Sequence, residues 1–224
     1  MTEAANECGL ILAAAGSGRR YGTAIPKQFS SLEGKPVYLR ALETFFPYVS
    51  EIVIVTPQDW TAKVTEEIAQ VAAPIRIKVQ AGGDHRQQSV QNGLRRLSSD
   101  IGWVLVHDAA RPFVSQSLVE RVLDRARQTG AAIPVLPVHD TVKEVDAERV
   151  IGTVDRSRLR LAQTPQGFRR DLLEQAFAEA YRQGFMGTDE SALVERLGER
   201  VRIVEGESSN VKITRRSDLK DRGR

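Results

Sequence analysis

Short apolar runs alternate with longer amphipathic ones through most of the chain. Residues 9–15 (GLILAAA), 51–56 (EIVIVT), 75–79 (IRIKV), 103–107 (WVLVH) and 131–136 (AAIPVL) are short and aliphatic. Glycine, proline or polar residues bound them, which predicts buried strands. Between them, 37–47, 58–72, 87–97 and 115–129 carry apolar residues at helical spacing. In the last, Leu118, Val122 and Ala126 recur on one face with Leu123 beside them, while Glu120, Arg121 and Asp124 can face water. Ser115 stands where an N-cap belongs. Strands alternating with helices predict crossover connections and an α/β fold, a mostly parallel Rossmann-like sheet flanked by helices. Ligands of such sheets bind beyond the carboxyl ends of the strands, here the loops after Ala15, Gly82 and His107.

Residues 138–168 break this rhythm. Alternation in TVKEV and RVIGTV predicts two strands around an acidic turn near Asp146, a β-arm over about 138–160 projecting from a single domain that spans 1–224. Two strands alone are marginally stable, so the arm needs a surface to pack on, and a twin subunit is the obvious candidate. No repeat or low-complexity linker divides the chain, and its last stretch, KITRRSDLKDRGR, is basic.

Composition narrows the class. In 224 residues, 41% hydrophobic content is enough for a core, and 32 basic against 29 acidic residues leave a net charge of only +3. That balance, with no aromatic stacking platform, argues against a nucleic-acid binder. Cys8 is the only cysteine, so no internal disulfide can form and a reducing compartment is expected. The acidic start lacks a signal peptide's positive region, and no apolar run approaches the roughly 20 residues of a membrane span. These features predict a cytoplasmic protein without membrane partners.

Candidate chemistry concentrates in the loops. Residues 13–20 read AAAGSGRR, followed by Pro26, Lys27 and Gln28. Small residues and two glycines let backbone N–H groups approach phosphate oxygens, and Arg19, Arg20 and Lys27 add positive charge. The spacing is neither that of a P-loop nor a complete dinucleotide fingerprint. Taken alone, the loop reads equally well as a glycine-rich turn with solvated arginines. Asp108 follows an apolar strand directly, where a carboxylate could hold magnesium together with substrate phosphates, or merely form a turn. His85, His107 and His139 do not form a Cys/His zinc pattern and suit structural roles. No Ser–His–Asp or Cys–His motif stands out.

The loop AAAGSGRR with PKQF resembles the nucleotide-binding loop of the sugar-phosphate nucleotidyltransferases. Further motifs are AGGDHRQQSVQNGL at 81–94, VHDAARPF at 106–113, HDTVK at 139–143, TVDRSRL at 153–159, AQTPQGF at 162–168, TDE at 188–190 and NVKIT at 210–214. In that order they resemble the 2-C-methyl-D-erythritol 4-phosphate cytidylyltransferases over nearly the whole chain. The resemblance implies transfer of a cytidylyl group from CTP to the sugar-alcohol phosphate, with loss of pyrophosphate, in non-mevalonate isoprenoid biosynthesis. It implies that Arg20, Lys27 and Lys212 meet transition-state charge. Ala13, Ala14, Ala15, Gly16, Ser17, Gly18, Arg19, Gly83, Asp84, Ser89 and Ala109 would bind the nucleotide. Asp108, Arg111, Thr141, Arg156, Thr164 and Thr188 would bind the acceptor, with Asp108 also near Mg2+. It further implies a homodimer with exchanged β-arms, Arg156 serving the partner's site. Where the family often has proline two residues after the NVKIT threonine, this chain has Arg216. The CTP-side motifs suit a ribitol 5-phosphate cytidylyltransferase equally. A non-catalytic nucleotide-binding module is the alternative of another class.

Overall fold

The structure is a computed structural model that describes residues 7–16, 25–215 and 217–220. In chain order the strands are β1 (Cys8–Ala13), β2 (Ser31–Leu32), β3 (Lys35–Pro36), β4 (Glu51–Thr56), β5 (Arg76–Ala81), β6 (Trp103–Asp108), β7 (Ala131–Pro137), β8 (Val142–Asp146), β9 (Arg149–Val154), β10 (Arg160–Ala162), β11 (Gln166–Arg169) and β12 (Arg202–Glu205). The helices are α1 (Val37–Glu43), α2 (Thr61–Ala69), α3 (Arg86–Arg96), α4 (Gln116–Thr129), α5 (Arg170–Arg182), α6 (Glu190–Arg196) and α7 (Ser217–Lys220).

All five expected core strands pair in one eight-stranded sheet, ordered β10-β7-β11-β6-β1-β4-β5, with β12 added on β7. The run β6-β1-β4-β5 is parallel, as the crossover helices dictate. β11 then inserts antiparallel between β6 and β7. The strand expected over 9–15 ends at Ala13, because Ala14 leaves the ladder and donates its N–H to Val55 O at 2.8 Å. The helix expected over 37–47 stops at Glu43. The one expected over 58–72 opens as a short 3-10 turn and becomes α-helical only at Thr61.

Strand residues alternate between two cores, as the period of a pleated strand requires. Leu10, Leu12, Ile52, Ile54 and Leu105 face α1 and α4, meeting Tyr38, Leu42, Phe45, Leu118 and Val122. Ile11, Val53, Val55, Val104 and Val106 face α3 and α5, meeting Val90, Leu94, Leu173 and Phe177. Ser115 caps α4 as its position predicts, its Oγ accepting from Leu118 N at 3.0 Å. The arm is the separate hairpin β8–β9. Its Val145, Val150 and Ile151 are all more than half exposed. Among the described residues, no helix is long and apolar enough to cross a membrane.

Candidate active site

Three loops at the carboxyl end of the parallel strands converge because β1, β4, β5 and β6 end in register. Ala13 lies opposite both Val55 and Asp108, and Thr56 lies opposite Ala81. The loop after β1 is pinned by Gln28, a buried side chain whose Nε2 donates to Ala14 O at 2.6 Å and Gly16 O at 2.9 Å. Gln28 directly follows Lys27, so the same contact anchors the backbone next to that lysine. Ser17, Gly18, Arg19 and Arg20 lie outside the described residues.

The loop after β5 packs against the first. Gly82 N donates to Thr56 O at 2.8 Å, and a Cβ on Gly82 would stand 2.6 Å from Ala15 Cβ and 2.8 Å from Ser89 Oγ. Only glycine lets the two loops touch there. Ser89 is buried in the second turn of α3. Its Oγ accepts from Gly83 N at 3.0 Å and donates to His85 O at 2.9 Å, so the hydroxyl shapes the loop. Asp84 N donates to Gln88 Oε1 at 2.9 Å, leaving the exposed Asp84 carboxylate outward.

Asp108 ends β6 and is the hub. Lys212 Nζ lies 2.7 Å from its Oδ2, Arg86 Nε 3.3 Å from its Oδ1, and Arg111 Nε 3.9 Å from its Oδ2. Burial alone would push this carboxyl up, but Arg86, then Lys212 and Arg111 outweigh it and hold it well below the ordinary carboxylate range. Lys212 stays over a third exposed, available to a ligand, whereas Arg111 is nearly buried. Arg111 spends a guanidinium N–H on Asn210 O at 2.7 Å, and burial lowers its pKa.

A chain of hydrogen bonds fixes Asp108 from behind. Its N–H donates to Thr164 Oγ1 at 3.1 Å, and that hydroxyl lies 3.1 Å from His107 Nδ1. His107 Nε2 lies 3.1 Å from Arg111 O, a carbonyl that can only accept. Nε2 therefore carries the proton and Nδ1 accepts from Thr164. This is the structural role expected for the histidine, and it leaves Thr164 one acceptor lone pair for any substrate. Gln163 and Asn210 lock the loop before Lys212. Gln163 Nε2 donates to Glu207 O at 2.9 Å, and Asn210 Nδ2 donates to Thr164 O at 2.8 Å.

The expected residues Lys27, Ala13, Ala14, Ala15, Gly16, Gly83, Ser89, Asp108, Ala109, Arg111, Thr164 and Lys212 thus fall on these loops and the segments that pin them. Thr141, Arg156 and Thr188 are exposed, and among the described residues no hydrogen bond or ion pair ties them to Asp108. Arg156 instead donates to His139 O at the base of the arm. Sequence reasoning missed Gln28, Gly82, Arg86, Gln163, Glu190 and Asn210. All six lie in or beside motifs already singled out. Their importance lies in partners distant in the chain.

The chain matches the family model of IspD, 2-C-methyl-D-erythritol 4-phosphate cytidylyltransferase, over residues 8–222. It is 45% identical to the protein of that name from Solibacter usitatus, over 94% of this chain and 91% of the other. It is 40% identical to the one from Bacillus velezensis, over 94% and 91%. The crystal structure of the Thermus thermophilus enzyme of that name superposes with a TM-score of 0.79 at 38% identity, covering 96% of each chain.

Proposed function

The chain belongs to the 2-C-methyl-D-erythritol 4-phosphate cytidylyltransferase family, and from that premise we propose that it joins the cytidylyl group of CTP to 2-C-methyl-D-erythritol 4-phosphate. An oxygen of the acceptor's phosphate attacks the α-phosphorus. The bond from that phosphorus to the bridging oxygen breaks, and pyrophosphate leaves with the electron pair. Both reactants are anions, so cations must offset their repulsion before they meet. The observation that carries the reading is Lys212, brought from the far end of the chain to 2.7 Å from Asp108 at the strand end. In this reading Lys27, Arg20 and Lys212 meet the charge of the transition state. The backbone of Ala14, Ala15, Gly16 and Gly83 reads the cytidine.

Among the described residues no group of three potential His, Cys, Asp or Glu ligands gathers to hold a metal. A buried carboxylate can supply one ligand to magnesium, with the remaining ligands from substrate phosphates and water, although both oxygens of Asp108 already face cations. Asp108 would hold the ion there. When bound, it would neutralise charge on the phosphates.

The exposed apolar arm, with Leu161 and Ile203 also exposed nearby on β10 and β12, supports a homodimer with exchanged arms. The partner would then receive Arg156 and Thr141. The lone, buried Cys8 suits the cytoplasm.

The test is pyrophosphate release with CTP and magnesium against methylerythritol 4-phosphate and ribitol 5-phosphate in parallel. Release is expected with the first acceptor and should stop when a chelator removes the metal. Folded, CTP-binding protein that releases pyrophosphate only with the second acceptor, or with neither, would overturn the assignment.

A further inference from the structure

Arg86 opens α3, at the end of the loop that carries Gly83. Its Nη1 lies 2.8 and 2.9 Å from the two oxygens of Glu190, and its Nε reaches Asp108. Glu190 is 1% exposed. Burial pushes its carboxyl up, opposed chiefly by Arg86. The arginine is held charged by Glu190 and Asp108 against the effect of burial. Three cations, Arg86, Arg111 and Lys212, therefore face two carboxylates, Asp108 and Glu190. Glu190 takes Nη1 and Asp108 takes Nε of Arg86, so two of its three nitrogens are engaged by carboxylates.

Glu190 itself is fixed to the sheet. The preceding Asp189 caps α6, its Oδ1 accepting from Ala192 N at 3.0 Å, and its Oδ2 accepts from Gln166 Nε2 at 2.8 Å. Gln166 Oε1 accepts from Ser191 N at 3.1 Å, and Gln166 lies opposite Val106 on β6, two residues before Asp108. The neighbour of Arg86 adds a second tie. Gln87 Nε2 donates to Phe185 O at 3.2 Å, and Gly187 N donates to Gln87 Oε1 at 2.9 Å. Thr188 is thus bracketed by residues fastened to the start of α3.

We propose that Arg86, anchored by Glu190, is a positioning residue for cytidylyl transfer: it sets the Oδ1 side of Asp108 and couples the nucleotide loop at 82–86 to the Thr188 segment on the acceptor side. The inference rests on the reaction proposed above. A pair acting as a unit loses its effect when either member is lost, so single and double substitutions should cost alike.

The experiment measures kcat and KM for both substrates in the parent, Arg86→Gln, Glu190→Gln and the double variant, with CTP affinity measured separately by calorimetry. Rates are normalised to the folded fraction. Each single variant should lose tenfold or more in kcat while CTP affinity changes less than threefold, and the double should lose no more than the worse single. Arg86→Lys keeps the charge without the fork spanning both carboxylates, and should fall between parent and Arg86→Gln. If Arg86→Gln or Glu190→Gln does not fold, Arg86→Lys alone decides, and a kcat within twofold of the parent overturns the role. Single variants within threefold of the parent in kcat, or losses that multiply in the double, also overturn it. A parent inactive with methylerythritol 4-phosphate would instead sink the underlying reaction and this inference with it.

Discussion

At the scale of single residues, the site is a buried carboxylate surrounded by cations, and both kinds of group make predictions. On the proposed mechanism Lys212 carries charge the transition state needs, so Lys212→Ala should lower kcat about 100-fold, roughly 3 kcal/mol by analogy with an oxyanion donor. Steady-state pyrophosphate release checks this, and a loss below threefold would exclude the role. His107 predicts a pH dependence. Burial holds its imidazole down to about 4, from an ordinary value of 6.5. The unfolded chain therefore binds a proton that the folded one refuses between those values. Stability is full above about 6.5 and falls as pH drops toward 4, by up to about 1.4 kcal/mol per pH unit. Urea unfolding at pH 7 and pH 5 should show this loss in the parent and a smaller one in His107→Gln. Equal losses would remove His107 as the cause. Asp108 and Lys212 were singled out because the resemblance implied a role for each. Arg86 was not, because its meaning depends on Glu190, which no local spacing connects to it.

At the scale of elements, the nucleotide loops depend on one close approach. Gly82→Ala would drive a methyl group into Ala15 and Ser89, and neither is the far end of a flexible chain. Overpacking of this kind costs about 1–3 kcal/mol. The expected result is CTP affinity weakened about tenfold with the fold intact. Calorimetric affinity within twofold of the parent would mean that the loops part without cost. The central strands were readable because burial on both faces makes a parallel strand a continuous aliphatic run, as in EIVIVT. The same logic failed for β12. Its RIVE is only two aliphatic residues between two charges, too short to signal a strand, and pairing with β7 makes it one. β11 was hidden likewise. Its QGFR has no strand pattern, yet Gly167 fits under α4, where a Cβ would lie 3.1 Å from Ala126 Cβ. α3 and α4 were placed within a residue or so at most of their ends, since their apolar stripes and the Ser115 cap are local signals.

At the scale of the whole molecule, the arm raises the question of assembly. β8–β9 forms its own two-stranded sheet, and two strands seldom hold alone. Val150→Asp with Ile151→Asp, at positions 57% and 52% exposed, should leave the single chain folded but shift it from dimer to monomer. Sedimentation would read the shift, and turnover should fall more than tenfold if Arg156 works across the interface. A dimeric, fully active double variant would detach the arm from both roles.

The loop that carries Lys212 also has a consequence in time. Asp108 and Arg86 are synthesised early, whereas Glu190 and Lys212 come about a hundred residues later. At about 5–20 residues per second, the carboxylate waits roughly 5–20 s on the ribosome for its lysine. Until then the growing chain can assemble β1, β4, β5 and β6 but must keep the end of β6 hydrated. A ribosome-stalled chain ending at Glu207 should therefore release no pyrophosphate; turnover from it would show that Lys212 is dispensable. On the proposed mechanism, a partly made chain that stops short of Lys212 would be unable to spend CTP.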